Sequence, residues 1–342
     1  MGENRKIRVL VVDDSLLFRE VLSMGISSDP AIEVVARAID PFDARDKILA
    51  FEPDVMTCDV EMPKMNGVEF IRRLLPQYHL PTIVVSSVSE AVFDAMNAGA
   101  VDFVTKPNVN SPQSVKEFMR DLISKIKVAA QAKVAPEPLR LVSTEVLSGT
   151  VDRSKKIIAI GASTGGTEAI AHLLKSLPSN NMPGMVIVQH IPPAFSRMFA
   201  DRLNNQTAFT VKEAQSGDIV ESGKVLIAPG DQHMRIRRVA DRYKVEVFPG
   251  DKINGHCPSV DVLFESVAKE AGNQAIGMIL TGMGYDGARG LLTMRRKGAR
   301  TLGQDERSAV VYGMPKVAFD IGAVEKQGAL SNLPEMLLAL LK

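Results

Sequence analysis

Short apolar runs alternate with segments of helical periodicity through the first 125 residues of the chain. Five runs rich in β-branched and aliphatic residues predict strands: IRVLVVDD, IEVVARAI, DVMTCDVEM, PTIVVSSV and VDFVTKP. Between them, apolar residues recur at three- and four-residue spacing in segments such as GVEFIRRLLPQ, which predicts helices. Strict alternation of strand and helix is typical of a parallel sheet with helices on both faces. We therefore expect an α/β domain with a five-stranded parallel sheet here.

The second half of the chain repeats this alternation. KKIIAIGAS, GMVIVQHI, KVLIAPGD and AIGMILTG are apolar runs that end in glycine, histidine or small polar residues, and they predict a second parallel sheet. MRIRRVADRYKVEVF alternates around a polar turn, which predicts a β-hairpin added to that sheet. Periodicity fades over residues 128–153, which contain Pro136 and Pro138. We predict a first domain over residues 1–127, a linker over 128–153, and a doubly wound, mainly parallel α/β domain over 154–342.

Composition and charge exclude several classes of function. Lys and Arg number 41 against 40 Asp and Glu, so the chain lacks the basic field that drives nucleic-acid binding. The two cysteines form no CxxC motif, which argues against a disulfide framework or a zinc site. The first apolar run ends at Asp13, too early for a signal peptide, and no stretch approaches the roughly 18 apolar residues of a membrane span. We expect a cytoplasmic protein that neither binds nucleic acid nor inserts into a membrane.

Acidic and polar residues follow the strand ends of the first domain. Asp13 and Asp14 follow the first strand, Asp59 ends the third, and Ser86 and Lys106 follow the fourth and fifth. Ligands of such folds gather at the carboxyl ends of strands. Three carboxylates there would repel one another unless a hard cation such as Mg²⁺ lay among them. The alternative is that each Asp caps the helix after it, which explains single residues better than the whole set.

The motifs VVDDS, DVEMPKMNG and FVTKP resemble the receiver domain of bacterial response regulators. This resemblance covers most of the first domain and implies a flavodoxin-like fold, with Asp59 as the phosphoacceptor. It also implies a bound Mg²⁺ whose ligands include the carboxylates of Asp13, Asp14 and Asp59 and the backbone carbonyl of Glu61.

Three further roles follow from the same resemblance. Lys106 would pair with the phosphoryl oxygens, Ser86 would hydrogen-bond one of them, and Phe103 would be the aromatic switch residue. The chemistry is consistent with this, because a carboxylate can attack a phosphoryl group only where metal and lysine neutralise the charge on its oxygens.

A glycine-rich loop lies in IIAIGASTGGTEAI, residues 157–170. A P-loop requires a lysine after its last glycine, but Gly165 and Gly166 are followed by threonine. A dinucleotide-binding GxGxxG loop requires glycine at the position of Ser163, where a side chain would hold the backbone off a pyrophosphate. Residues 161–165 do match GxSxG, which exposes a serine on a sharp strand-to-helix turn. Because this loop follows a clear apolar strand, Ser163 is a candidate nucleophile.

A serine nucleophile needs a base and an orienting acid. His190 ends the next strand and Asp286 lies just beyond a later one, so both would face the same sheet edge as Ser163. Spacing leaves open that His190 is a partly buried strand-end residue and that Asp286 caps the helix after it. The rival bases are His233 and His256. The rival acids are Asp218, Asp231, Asp261 and Asp305. The order Ser, His, Asp also differs from that of α/β-hydrolases.

Five motifs in order resemble the catalytic domain of chemotaxis protein-glutamate methylesterases, the CheB family: GASTGGTEAI, QHIPPAFS, APGDQHM, HCPSVDVLFESVA and LTGMGYDGARGL. Together with the receiver, the resemblance covers nearly the whole chain apart from the linker. It implies that Ser163 is the nucleophile, His190 the general base and then acid, and Asp286 the residue that orients the imidazole. It also puts Thr164 and Met283 beside the reacting ester, where backbone N–H groups are candidates for the oxyanion hole.

The activity implied by the resemblance is phosphorylation-regulated hydrolysis of glutamate γ-methyl esters, and deamidation of selected glutamines, on chemoreceptors. The implied phosphodonor is a chemotaxis histidine kinase, and the implied cofactor is Mg²⁺ in the receiver, with none in the catalytic domain. The alternative is a response regulator whose second half is a non-catalytic protein-binding domain. The presence of Ser163, His190 and Asp286 together favours the enzyme.

Overall fold

The computed structural model describes residues 5–87, 89–108, 111–132 and 155–342. The chain divides into two compact units, residues 1–135 and 136–342. Most of the linker expected from the sequence, residues 133–153, lies outside the described residues. In the described part of the chain, no helix has both the length and the apolar character needed to cross a bilayer.

The first unit is a five-stranded parallel sheet with flanking helices, as the sequence predicts. Its strands are β1 (Ile7–Val12), β2 (Ile32–Ala38), β3 (Val55–Asp59), β4 (Thr82–Ser86) and β5 (Asp102–Thr105). Its helices are α1 (Leu16–Ser27), α2 (Pro41–Phe51), α3 (Gly67–Leu74), α4 (Ser89–Asn97) and α5 (Pro112–Ala129). The strand order is β2-β1-β3-β4-β5.

Burial and register explain how this sheet builds a site. Every residue of β3 and β4 is buried, as expected for inner strands of a parallel sheet that is covered on both faces. β1 and β3 are neighbours, with Val12 paired to Cys58. Asp13 and Asp59 each follow one of these paired residues, so the register brings them side by side at the carboxyl edge.

The second unit contains a seven-stranded sheet and a separate hairpin. The sheet strands are β6 (Ile157–Ala162), β7 (Gly184–Gln189), β8 (Thr210–Glu213), β9 (Lys224–Ile227), β12 (Ala275–Ile279), β13 (Arg300–Gln304) and β14 (Lys326–Gly328). The hairpin strands are β10 (His233–Val239) and β11 (Arg242–Phe248). The helices are α6 (Gly166–Lys175), α7 (Pro193–Gln206), α8 (Val260–Glu270), α9 (Ala288–Arg296), α10 (Met314–Asp320) and α11 (Leu333–Leu341). The sheet order is β14-β13-β12-β6-β7-β9-β8, and all its pairings are parallel.

The hairpin differs from the sequence expectation in its attachment. β10 and β11 pair in antiparallel fashion, as predicted, but they form their own two-stranded sheet instead of joining the main one. Met234 and Ile236 are buried in the core of the unit. The N–H of Ile236 donates to Ser266 Oγ of α8 at 3.0 Å. The hairpin therefore packs against α8, which supplies both an apolar face and a hydrogen-bond acceptor.

The centre of the seven-stranded sheet positions the residues expected to react. β6 lies between β12 and β7, with Gly161 paired to Ile279 and Ala162 paired to Gln189. Ser163 follows β6 and His190 follows β7, so the two residues lie on neighbouring strands at the same edge. As predicted, the strand ends that precede these two residues lie at one edge of the sheet.

Candidate active site and receiver site

Ser163 lies at a tight turn between β6 and α6. Its N–H donates to the carbonyl of Thr281 at 3.0 Å, and its own carbonyl accepts from Gly166 N at 2.7 Å and from Gln189 Nε2 at 2.8 Å. Gly165 is the N-cap of α6 with a φ of 75°, a conformation that favours glycine. These bonds fix the backbone around the serine in a strand–turn–helix arrangement.

His190 and Asp286 form a buried pair. Nε2 of His190 lies 2.9 Å from Oδ2 of Asp286, and the two side chains are 7% and 1% exposed. An ionised carboxylate has no hydrogen to donate, so the hydrogen of this bond belongs to Nε2. Nδ1 is buried and has no hydrogen-bond partner among the residues that the structure describes. Nδ1 is therefore the ring nitrogen of His190 that can accept a proton.

Asp286 is held as an anion by several donors. Its Oδ1 accepts from Asn254 Nδ2 at 2.8 Å and from Ser259 Oγ at 2.7 Å, and its Oδ2 accepts from Val260 N at 2.6 Å. Burial alone would raise the pKa of Asp286, but the hydrogen bonds from His190, Asn254 and Ser259 hold that pKa well below its ordinary value. Val260 begins α8, so the positive end of the helix dipole adds to this effect.

The two rival bases, His233 and His256, have different surroundings in the structure. Nδ1 of His233 accepts from Ser259 N at 3.2 Å, and its Nε2 lies 2.9 Å from the carbonyl of Asp251, so both ring nitrogens are used within the fold. His256 instead stacks on His190, with ring centroids 3.6 Å apart and planes at 9°. His233 therefore has a structural role, whereas His256 belongs to the candidate site.

The rival acids differ from Asp286 in their surroundings. Asp218 accepts from Gln215 N and from Lys212 Nζ, Asp305 accepts from Ser308, and Asp231 is exposed. Asp261 is buried and shares a donor, Asn254, with Asp286. The idea that Asp286 caps the helix after it does not describe the structure, because its carboxylate binds the start of α8.

Thr164 directly follows Ser163, and Met283 belongs to a segment that passes close to the serine. Thr164 is buried, and its carbonyl accepts from Thr281 Oγ1 at 3.0 Å. Met283 is 45% exposed and follows Gly282, where an added Cβ would lie 2.7 Å from Cβ of Ser163. The segment that carries Met283 therefore runs directly against the serine.

Sequence reasoning missed the polar residues that hold this arrangement together. Gln189 Nε2 donates to the carbonyls of Ser163 and His190 at 2.8 and 3.1 Å. Asn254 donates to Asp286, as described above. Two weak signals were present in the sequence: Gln189 directly precedes His190, and Asn254 with Gly255 forms the dipeptide typical of a tight hairpin turn.

The receiver site is an acidic cluster at the carboxyl edge of the first sheet. Among the described residues, Asp13, Asp14 and Asp59 each bring one carboxylate oxygen to within 4.8 Å of the others. Lys106 Nζ lies 2.6 Å from Asp59 Oδ2 and 3.0 Å from Asp13 Oδ2. Hard oxygen donors in such a group fit the preferences of Mg²⁺.

Burial and neighbouring charges shift the pKa values of groups in this cluster. Burial raises the pKa of Asp13, Lys106 partly offsets that effect, and the nearby Asp59 adds to it. Burial would lower the pKa of Lys106, but its bonds to the two carboxylates outweigh burial and raise that pKa. Lys106 contacts two of the three carboxylates, and a divalent cation would balance the excess negative charge.

The other predicted receiver residues lie around the same edge. Ser86 is buried at the end of β4, and its carbonyl accepts from Lys106 N at 3.1 Å. Glu61 N donates to Asp59 Oδ1 at 3.2 Å. Phe103 is buried in β5 and packs against Phe93, with ring centroids 6.4 Å apart.

Comparisons with known proteins identify both units. The CheB methylesterase family model matches residues 158–337, and the response regulator receiver domain model matches residues 9–117. Protein-glutamate methylesterase/protein-glutamine glutaminase 2 of Syntrophomonas wolfei is 57% identical over 339 residues, covering 98% of each chain. The protein-glutamate methylesterase/protein-glutamine glutaminase of Escherichia coli O6:K15:H31 is 47% identical over 338 residues, covering 98% of this chain and 97% of the relative.

A solved structure gives the same result for the second unit. The catalytic domain of Thermotoga maritima CheB methylesterase superposes with a TM-score of 0.53 at 36% identity, covering 54% of this chain and 98% of that domain. The chain therefore belongs to the CheB methylesterase family, with a response regulator receiver domain preceding the methylesterase domain.

Proposed function

We propose that the protein hydrolyses glutamate γ-methyl esters and deamidates selected glutamines on chemoreceptors, under the control of receiver phosphorylation, and so supports adaptation in chemotaxis. The observation that carries the proposal is the buried pair of His190 and Asp286, with Nε2 and Oδ2 2.9 Å apart at the sheet edge of Ser163. This pair supports acyl transfer by a serine nucleophile. The names of the relatives supply the substrate groups, a glutamate methyl ester and a glutamine amide.

Acylation would proceed as follows. Ser163 Oγ attacks the side-chain carbonyl carbon while His190 Nδ1 accepts the hydroxyl proton, and the carbonyl electron pair moves onto oxygen. Backbone N–H groups at Thr164 and Met283 would stabilise that oxyanion. Asp286 stabilises the imidazolium through Nε2. When the oxyanion collapses, methanol leaves with the proton from Nδ1 and an acyl-serine remains. Ammonia leaves in the same way from glutamine.

Deacylation repeats these steps with water. His190 Nδ1 accepts a proton from water as the water oxygen bonds to the acyl carbon. Collapse of the second oxyanion breaks the bond to Ser163 Oγ, which recovers its proton from Nδ1. A free glutamate side chain leaves, and the enzyme returns to its starting protonation state.

Phosphorylation of Asp59 is the proposed regulatory step. Asp13, Asp14 and Asp59, with the carbonyl of Glu61, would hold Mg²⁺, and this cation would supply positive charge to neutralise the phosphoryl group. Lys106 would assist by pairing with the phosphoryl oxygens, a role that its short contacts to two of these carboxylates support.

The remaining receiver roles belong to the same proposal. Ser86 would hydrogen-bond a phosphoryl oxygen, and Phe103 would act as the switch residue. A chemotaxis histidine kinase would supply the phosphoryl group in the cytoplasm. The receiver would occupy residues 1–127, the linker 128–153 and the methylesterase domain 154–342.

The test is methanol release from methylated receptor membranes by the full-length protein. The wild type should release methanol, the Ser163→Ala variant should fall to background, and a small-molecule phosphodonor with Mg²⁺ should raise the wild-type rate. Ser179→Ala, a serine in the loop between α6 and β7, is the matched control and should behave as wild type. Activity of Ser163→Ala equal to that of the control would show that the nucleophile lies elsewhere.

A further inference from the structure

The loop formed by residues 251–259 brings a second imidazole onto the face of His190. The rings of His256 and His190 are nearly parallel, with centroids 3.6 Å apart and planes at 9°. We propose that His256 is a positioning residue, which fixes the plane of the His190 ring and so the direction of Nδ1. This inference rests on the proposed function, in which His190 is the general base.

The need for such a residue follows from the bonding of His190. The hydrogen bond from Nε2 to Asp286 fixes one corner of the ring, and Nδ1 has no hydrogen-bond partner within the described residues. One hydrogen bond leaves the ring able to tilt about the bond axis. A parallel ring against its face resists that tilt, because stacked aromatic rings attract one another at this separation.

The loop that carries His256 is itself tied to the candidate acid. Ile253 and His256 exchange two backbone hydrogen bonds, each of 3.0 Å. The two residues between them, Asn254 and Gly255, have left-handed φ values of 53° and 85°, which close a tight turn. Asn254 Nδ2 donates to Asp286 Oδ1 at 2.8 Å. The same turn therefore holds the acid on one side and presents the stacking ring on the other.

Both ends of the loop are also anchored. The buried ring of His233 joins the carbonyl of Asp251 to the N–H of Ser259, using one nitrogen for each. Between them, the carbonyl of Cys257 accepts from Asp231 N at 3.2 Å. These bonds fix the loop relative to the rest of the domain, so the position of the His256 ring is built into the fold.

Both imidazoles lie at the candidate site, with ring centroids 3.6 Å apart, so one of them must be assigned as the base. Because the buried pair joins Asp286 to His190, we assign the base to His190 and the positioning role to His256.

The experiment compares His256→Ala, His256→Phe and His256→Gln in the full-length protein, by methanol release from methylated receptor membranes. His256→Ala should lower kcat by roughly 10- to 100-fold with little change in KM, because a misdirected base slows chemistry more than binding. His256→Phe keeps a flat ring and should recover most of kcat. His256→Gln is polar but has no ring and should resemble Ala. Lys252→Ala, an exposed position of the same loop, is the control and should match wild type.

The outcomes separate the two proposals. If Ser163→Ala is inactive but His256→Ala keeps wild-type kcat, the positioning role is wrong and the proposed function stands. If Phe is no better than Gln, stacking is not what His256 contributes, and this comparison holds even where Ala folds poorly. If Ser163→Ala is active, the proposed function itself fails, whatever the His256 variants show.

Discussion

Asp261 and Asp286 bind the N-terminal amides of each other's helices. Asp286 precedes α9 but accepts from Val260 N at the start of α8, at 2.6 Å. Asp261 lies in the first turn of α8 but accepts from Gly290 N in the first turn of α9, also at 2.6 Å. Asn254 Nδ2 donates 2.8 Å bonds to both carboxylates. Carboxylates are favourable at helix N-termini, so the interactions that join the two helices also hold the proposed catalytic acid.

Replacing Asp286 by Asn should destabilise the protein most at neutral pH. The pKa of Asp286 is held well below its ordinary value of 3.8, so the unfolded chain binds this proton more tightly than the folded one. Its contribution to stability is therefore complete above that ordinary value and is lost as pH falls below it. Urea midpoints of full-length wild type and Asp286→Asn should differ at pH 7 and converge in acid. Exposed Asp201→Asn is the control. A difference that stays constant with pH would contradict the prediction.

Asp261→Ala should show the opposite dependence on pH. Burial raises the pKa of Asp261, and the nearby Asp286 adds to the increase, so the folded protein binds this proton more tightly than the unfolded chain. The stability that Asp261 contributes falls as the pH rises from the ordinary pKa of an aspartate through the raised pKa of the folded protein. The variant also leaves the buried N–H of Gly290 without its acceptor, at a cost of about 1–3 kcal/mol. The urea midpoint should therefore lie below wild type, by more in mild acid than at neutral pH. A gap that widens toward neutral pH would disprove this.

Lys106→Met should remove most of the stimulation by a phosphodonor. Lys106 lies within 3.0 Å of carboxylate oxygens of Asp13 and Asp59, where charge on a phosphoryl group would accumulate. Without this cation, that charge is less well neutralised. The quantity to measure is the ratio of methanol release with and without phosphodonor and Mg²⁺, and it should fall toward one. Lys116→Met, an exposed lysine of α5, is the control. A variant ratio equal to that of the control would show that transfer does not need Lys106.

The fold could be predicted because both sheets are parallel and buried on both faces. Their strands appear as short apolar runs, and the residues directly after them meet at one edge. Alternation predicts that Ser163 and His190 lie at the same edge of the sheet, and they follow the paired strands β6 and β7. The attachment of the β10–β11 hairpin could not be predicted, because alternation predicts two strands but does not indicate which helix or sheet they pack against.

The hydrogen bonds that hold the site could not be predicted, because they join residues far apart in sequence. Asn254 and Asp286 are 32 positions apart, and His233 and Ser259 are 26 apart. Spacing also could not separate the roles of His233 and His256, since both lie near strand or turn ends. What distinguishes them is that His233 uses both ring nitrogens within the fold, whereas His256 lies flat on His190.

Gly282→Ala should impair catalysis by displacing the serine. An added Cβ would lie 2.7 Å from Cβ of Ser163 and 2.5 Å from Sδ of buried Met314, so the backbone or one of these side chains must shift. A misplacement of about 1 Å in a reacting group costs about 100-fold in rate, and kcat for methanol release should fall by that order. Gly303→Ala is the matched control, because the three atoms nearest to its added Cβ all belong to Val324, the closest at 3.0 Å. That variant should lower the thermal unfolding midpoint but keep kcat. If Gly282→Ala kept wild-type kcat as well, the contact would be relieved without moving Ser163, and the close approach of the two segments would have no part in positioning the nucleophile.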